Sequence, residues 1–322
     1  MRIRIDVEVP KWTQWLAAGI VGGLVLGAGA ARVSADTTGV RTDFAPHEPL
    51  RAQDLNNNFT ILNNAVQQLE RADCPLGFAR DTAETSIVLC KNGTDEMVRV
   101  VSGGARFWID RYEASIWEKS GGTGRQYGLT ENDLPTTFPS NGQYTTALFA
   151  RSVAGVTPSA WVSWFAADAA CEASSKRLPT SSEWMRAARG TPDEGSSAGG
   201  SGACLTSATT VRATGQGVNC VSTWGAQDLI GNLYEYAAEW QMAPTTSNAY
   251  TPWPNVMYNG DYVFNVASSA ADASGYHVGL PSATLHGGSF TTGVGAGIFA
   301  LNLGMAPSYG NGEIGFRCVV TR

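Results

Sequence analysis

Six cysteines, Cys74, Cys90, Cys171, Cys204, Cys220 and Cys318, set the strongest restraint on how this chain can fold. They follow an amino-terminal stretch organised like an export signal. Lys11 precedes the apolar run 15–31, and Val33-Ser34-Ala35 offers a small-x-small cleavage pattern before Asp36. Residues 1–35 are therefore expected to act as a signal peptide or membrane anchor, with an exported body that is extracellular, on a cell surface or periplasmic. The apolar run is short for a bilayer span, so a membrane is a partner only if residues 15–31 are retained. An even cysteine count in an exported chain favours disulfides, and no CxxC or paired-histidine spacing favours a metal instead. Two pairs are local. Cys74 and Cys90 bracket a strand-like run and a turn, and Cys204 and Cys220 lie within a Gly/Ser/Thr-rich insertion at 190–225 that they would staple.

Only 16% of the residues are charged, whereas 37 are glycine and ten each are Trp and Tyr, which points to a loop-rich globular body and not to a helical bundle or a disordered tail. A length of 322 residues allows roughly one to two domains. The formal net charge is -6, and loss of residues 1–35 removes four basic and two acidic groups to leave -8. An acidic body with no basic cluster has nothing to replace the counterions of a phosphate backbone, so nucleic acid is not an expected partner.

Residues 36–49, polar and holding Pro46 and Pro49, form an expected linker. From 50 to 72, Leu55, Phe59, Leu62, Val66 and Leu69 are spaced 4, 3, 4, 3, a heptad seam on an otherwise polar helix. So narrow a stripe does not hold a lone helix in water. The helix either lies on the body or joins copies of itself in a short parallel coiled coil, and a homotrimeric stalk is the preferred reading. Residues 73–103 are expected as a small disulfide-closed connector. In the segment 106–115, Phe107, Ile109 and Tyr112 alternate with polar neighbours as in a strand. Residues 118–160 read as loops, and 243–284 as an exposed loop region rich in aromatics.

Two helices are predicted. One begins after Ser163 as N-cap and carries Phe165, Ala169 and Ala173 on one stripe. The other has a capping box, Thr180 with Glu183, with Trp184 and Ala188 facing the core and Gly190 as its left-handed end. In order along the chain stand FWIDRYEAS, WVSWFAADAACEASSKRLPTSSEWMRAARG, DLIGNLYEYAAEW, LHGGSF and IGFRCVV. This set resembles the sulfatase-modifying-factor family, that of the formylglycine-generating enzymes, over residues 104–322. The resemblance implies an α+β, loop-rich domain of the C-type-lectin-like class, here preceded by the short coiled-coil helix. It also implies a Cys171–Cys318 bridge, since the family pairs these positions. Arg177 and Arg317 are expected to hold buried carboxylates or carbonyls, and Glu183 to serve as a cap.

Formylglycine generation in that family uses two cysteines after the GGSF block, where soft thiolates hold copper(I). Thr292 and Gly297 stand at those positions, so no copper is expected. Ser289 matches a serine of the enzyme site and, without the metal site, reads as a turn residue. The sulfoxide-synthase branch needs an iron-binding histidine domain, and His47, His277 and His286 are scattered. Family members also bind structural calcium at the GN-x-x-E turn, which would use Asn232, the Leu233 carbonyl and Glu235, with Glu239 peripheral. The alternative stays open that Asn232 caps the turn and Glu235 pairs with an arginine. No catalytic residue is assigned.

The expected function is thus an exported, non-catalytic binding or adhesion-type protein, recognising a glycan or protein ligand with a head displayed on an oligomerising stalk. The alternatives are an enzyme of the family with an unrecognised site, or a structural subunit of an extracellular fibre or tail-like assembly. Segment 290–313 is the expected contact loop, and Trp253, Tyr258, Thr291, Thr292, Tyr309 and Asn311 are the expected contact residues. If residues 50–72 join copies of this chain, Leu62→Asp at a heptad core position should convert a trimer to a monomer, read as a threefold drop in mass by light scattering.

Overall fold

Two-residue turns fold the first strands of the body into a meander. In the computed structural model, which describes residues 40, 52–71, 74–138, 146–242, 249–252, 262–265 and 281–321, Gly103 and Gly104 link paired Ser102 and Ala105 with φ of 59° and 79°. Both values are positive, as a hairpin turn that follows the strand twist demands and as a side chain resists. The chain divides into two units, 1–71 and 72–322.

In the first unit the helix α1 spans Ala52–Arg71. Leu55 and Phe59, the first two positions of the heptad seam, are 37% and 68% exposed. The expected export segment 1–35 lies outside the described residues. Among the described residues no helix is long and apolar enough to cross a membrane.

The second unit is built on three sheets. The first has the order β1 (Ala79–Arg80), β2 (Leu89–Asn92), β3 (Asp95–Ser102), β4 (Ala105–Asp110) and β14 (Val319–Val320), all antiparallel. Residues 73–103, expected as a connector, thus supply strands to the sheet that also receives the carboxyl-terminal strand. The continuous strand read over 106–115 is two elements, β4 and β5 (Ser115–Lys119), separated by a bend at Arg111 and Tyr112. Phe107, Trp108, Ile109 and Asp110 are all buried because both faces of β4 are covered. Phe107 and Ile109 pack with Trp184, whereas Trp108 and Met97 pack under the Cys74–Cys90 pair.

The second sheet runs β13 (Ile314–Gly315), β8 (Tyr234–Met242), β11 (Pro281–Gly287), β12 (Gly297–Met305), β10 (Tyr262–Asn265) and β9 (Ala249–Pro252). The third has β5 between β6 (Thr123–Tyr127) and β7 (Phe149–Arg151). The domain is α+β and loop-rich.

Helix α2, Trp164–Ala173, starts as predicted, with the Ser163 hydroxyl accepting from the Ala166 N–H. Its buried face is not the predicted stripe. Ala166, Ala167, Ala169, Ala170 and Cys171 are buried, whereas Phe165 is 39% exposed and packs edge-on against Trp240. The Cys171–Cys318 bond explains this, since it turns the Cys171 side of the helix inward. Helix α3, Ser181–Ala188, has the capping box in both directions, buries Trp184, Ala187 and Ala188, and is followed by Gly190 at φ 82°.

A buried ion cluster ties the sheets to the turn after α2. The Lys176 ammonium lies 2.6 Å from Asp110 and 2.8 Å from Asp95, and Asp95 also holds Arg151 at 2.8 Å. Burial, with Asp95 alongside, pushes Asp110 up to about 6.

All six cysteines are paired as expected: Cys74–Cys90, Cys171–Cys318 and Cys204–Cys220. The sequence separations are 147 for Cys171–Cys318 and 16 for each of the others. Loop-closure entropy scales with that length. Replacing Cys171 and Cys318 by Ala should cost about 5 kcal/mol of stability, against about 3 kcal/mol for Cys74 and Cys90, measured by denaturant unfolding without reductant.

Candidate functional site

The site stands on a charged core beneath it. Arg317 and Glu235 are buried and paired, with Arg317 Nε and Nη2 at 2.6 and 2.5 Å from the two carboxylate oxygens. The remaining guanidinium donors reach the carbonyls of Asp110 at 3.1 Å and Gln227 at 2.9 Å, and the Trp184 indole N–H donates to Glu235 at 2.6 Å. A short distance along the chain, Asn232 sits at φ 56° and its amide spans two elements. Its nitrogen donates to Glu113 and its oxygen accepts from the Arg212 N–H at 2.9 Å. Glu113 also accepts from the Leu233 N–H at 2.9 Å. Burial first, then the charges of Asp228 and Glu235, hold the Glu113 carboxyl well above the usual carboxylate range.

These contacts engage the side chains expected at the calcium turn. Both oxygens of Glu235 are engaged by Arg317, and Trp184 adds a donor; the Asn232 oxygen faces an N–H donor. The Glu239 carboxylate accepts from the N–H and hydroxyl of Ser181 at the start of α3. The Leu233 side chain packs with Ala160, Leu205 and Phe290. At this turn Asn232 thus serves as a cap and Glu235 as the partner of an arginine, the alternative that the sequence left open. Among the described residues no group of three His, Cys, Asp or Glu is disposed to hold a metal.

Above this core, β11 leaves the sheet through Gly287 and Gly288, at φ 87° and 83°. A Cβ on Gly287 would stand 2.8 Å from the Leu229 carbonyl, and one on Gly288 would stand 2.6 Å from the Ala296 Cβ. Only glycine fits either place. The turn delivers Ser289, buried, into a cluster of hydroxyls. Ser289 and Thr291 each donate to the same oxygen of Glu313 at 2.7 Å. Thr292 accepts from the Ser289 N–H at 2.8 Å and donates to the Tyr234 hydroxyl at 3.2 Å. The Glu313 N–H donates to the Asn311 side chain at 2.9 Å, which closes the loop 309–313.

Of the predicted contact residues, Thr291 and Asn311 each bond Glu313, which sequence reading had not singled out, and Thr292 joins them through Ser289. Glu313 follows a Gly-Asn-Gly run whose loop carries no periodic signal, and its partners lie more than twenty residues away, at Ser289 and Thr291. Tyr309 is placed differently: it is half-buried and rests against the main core, with its carbonyl accepting from the Tyr236 hydroxyl at 2.6 Å. Trp253 and Tyr258 lie outside the described residues. Every cysteine of the chain is in a disulfide, and Thr292 and Gly297 carry no thiol.

The profile of the sulfatase-modifying factor enzyme 1-like domain matches residues 99–322. No curated protein matches the sequence. Among solved structures, the Major Tropism Determinant U1 variant is 22% identical with a TM-score of 0.42, the match covering 75% of this chain and 54% of that one. CarF is 18% identical with a TM-score of 0.38, covering 68% and 87%; Treponema denticola variable protein 1 is 13% identical with a TM-score of 0.34, covering 70% and 98%. The chain thus spans about half the length of the Major Tropism Determinant it matches.

His286 lies one residue before the glycine pair and stacks on Trp184 at 4.7 Å. Neither ring nitrogen has a hydrogen-bond partner among the described residues, and burial lowers its pKa from 6.5 to about 3. The folded state holds the ring neutral while the unfolded chain takes up a proton below pH 6.5, so this stability is present above that pH and is lost as pH falls toward 3. Wild type should lose about 2 kcal/mol more than His286→Phe between pH 7 and pH 5, the difference being read from paired urea titrations.

Proposed function

This chain belongs to the sulfatase-modifying factor enzyme 1-like family, and we propose that within it the molecule is an exported, non-catalytic binding protein of the adhesion type. The observation that carries the reading is the hydroxyl cluster at the mouth of β11. Thr292 stands at one of the two positions where the resemblance to formylglycine-generating enzymes calls for soft thiolates, and it is bonded to Ser289, which with Thr291 donates to Glu313. Hydroxyl oxygens are poor ligands for copper(I), and the six cysteines are each held in a disulfide, which leaves no thiol for exchange with a substrate. A fixed, hydrogen-bonded polar surface is suited to recognition.

The heptad helix supports display in several copies. Leu55 and Phe59 face water on α1, as a seam awaiting a partner helix would. Joining heads through a trimeric stalk raises effective concentration, so that weak individual contacts add to strong binding. The export pattern read in residues 1–35 and the three disulfides, which persist in oxidising compartments, support an exported location. The ligand class at this level is a glycan or protein on an outer surface.

The test is a turnover assay on the purified chain, supplied with copper(I), oxygen and a cysteine-containing peptide. Thiol content of the peptide should fall no faster than in a protein-free control. Oxygen-dependent thiol loss together with retained copper would overturn the binding reading in favour of an enzyme of the family.

A further inference from the structure

A backbone outlier that touches the contact loop is Trp161, whose φ is 58°. A bulky side chain in the left-handed region is a true outlier, held only where the surroundings over-determine it. They do so here. The Trp161 N–H donates to the Asn311 carbonyl at 2.8 Å, and the neighbouring Ala160 N–H donates to Gly128 at 2.7 Å. On the opposite side, a Cβ on Gly312 would stand 3.0 Å from the Trp161 ring, and one on Gly310 would stand 2.6 Å from the Val162 carbonyl. The two glycines on either side of Asn311 therefore let the loop lie flat against Trp161, and the indole is set beside Asn311 and within two residues of Glu313.

We infer that Trp161, Asn311 and Glu313 form a subsite for a neutral saccharide, a conclusion that names the ligand class of the binding head proposed above and rests on that reading. Three polar groups in this small area remain open. The half-buried Trp161 indole N–H has no acceptor among the described residues, and neither has the Asn311 amide nitrogen, whose oxygen takes the Glu313 N–H. Glu313 uses Oε2 for both Ser289 and Thr291, and its Oε1 has no donor among the described residues. The subsite thus offers two donors and one acceptor next to an aromatic ring. A lysine or arginine side chain accepts no hydrogen bond and would leave both donors unmatched. An anionic group would satisfy the donors and face the Glu313 carboxylate. A sugar hydroxyl donates and accepts together, and the apolar C–H face of a pyranose suits an indole ring, whose body is apolar and whose N–H is polar. Weak binding of one sugar ring at each head would be amplified by several heads.

The full chain is tested on a printed array of neutral, sialylated and sulfated glycans, and the retained neutral sugar is then titrated calorimetrically as the free saccharide. Neutral terminal sugars should be retained. Trp161→Gly, which removes the ring and suits the backbone angle, should weaken the titrated affinity at least tenfold, and Glu313→Gln about fivefold. Trp161→Phe, which keeps a ring and loses the N–H, should fall between wild type and Trp161→Gly and guards against a folding defect; circular dichroism and the unfolding midpoint check each variant. Absence of retained neutral glycans, retention of sialylated or sulfated glycans alone, or a folded Trp161→Gly variant of unchanged affinity would each overturn the saccharide subsite. Binding of a purified protein ligand that Trp161→Gly leaves intact would also overturn it while preserving the binding head, whereas copper-dependent thiol oxidation would remove the binding head itself.

Discussion

The pairing of Arg317 with Glu235 is the contact on which the arrangement of the domain depends. A guanidinium and a carboxylate, both buried, are tolerated because every nitrogen of the guanidinium and both oxygens of the carboxylate are matched. Arg317 reaches β8 through Glu235, the end of β4 through the Asp110 carbonyl and the loop ahead of β8 through Gln227. Glu235 in turn anchors α3 through the Trp184 indole. Removing either partner would leave a lone charge in the interior, which costs about 3–5 kcal/mol in comparable buried pairs. One ion pair therefore sets the first sheet, the second sheet and a helix in register with one another.

From that anchor the surface site follows by steps of a few residues. Glu235 lies opposite His286 across the β8–β11 ladder, and His286 leads directly into the glycine pair. Parallel pairing of β13 with β8 brings Ile314 to Tyr234, so the residue before it, Glu313, arrives over the hydroxyls of Ser289 and Thr291. The polar surface is thus held by the same strands that carry the ion pair beneath it. A contact surface mounted on strands of a fixed sheet keeps its shape without its ligand and loses less freedom on binding.

Local chemistry was legible where a few adjacent residues settle the matter. The capping box of α3 needs only Thr180 and Glu183, and its end needs only Gly190, so both could be read directly. The disulfides were legible for a different reason: two are local, and the third came with the family blocks. The stripe of α2 was misplaced because ten residues rich in alanine carry little amphipathic contrast, and a covalent bond to Cys318 decides which face is inside. Thr291, Thr292 and Asn311 were expected as contacts and do meet, but the group that joins them, Glu313, and the aromatic beside them, Trp161, carried no signal in the chain. An unusual backbone angle leaves no mark on composition or periodicity.

The amino-acid sequence by itself determined the helix ends, the glycine turn after β11, the cysteine set and membership of an α+β, loop-rich family, because each rests on residue type at short separation or on a spaced set of blocks. Tertiary structure alone decided that Glu235 faces Arg317, that β4 is covered on both sides, and that Trp161 lies against the Asn311 loop. The reason is physical: burial, charge pairing and the angle at one backbone bond depend on chain segments far apart in sequence, and are settled only when those segments compete for the same space.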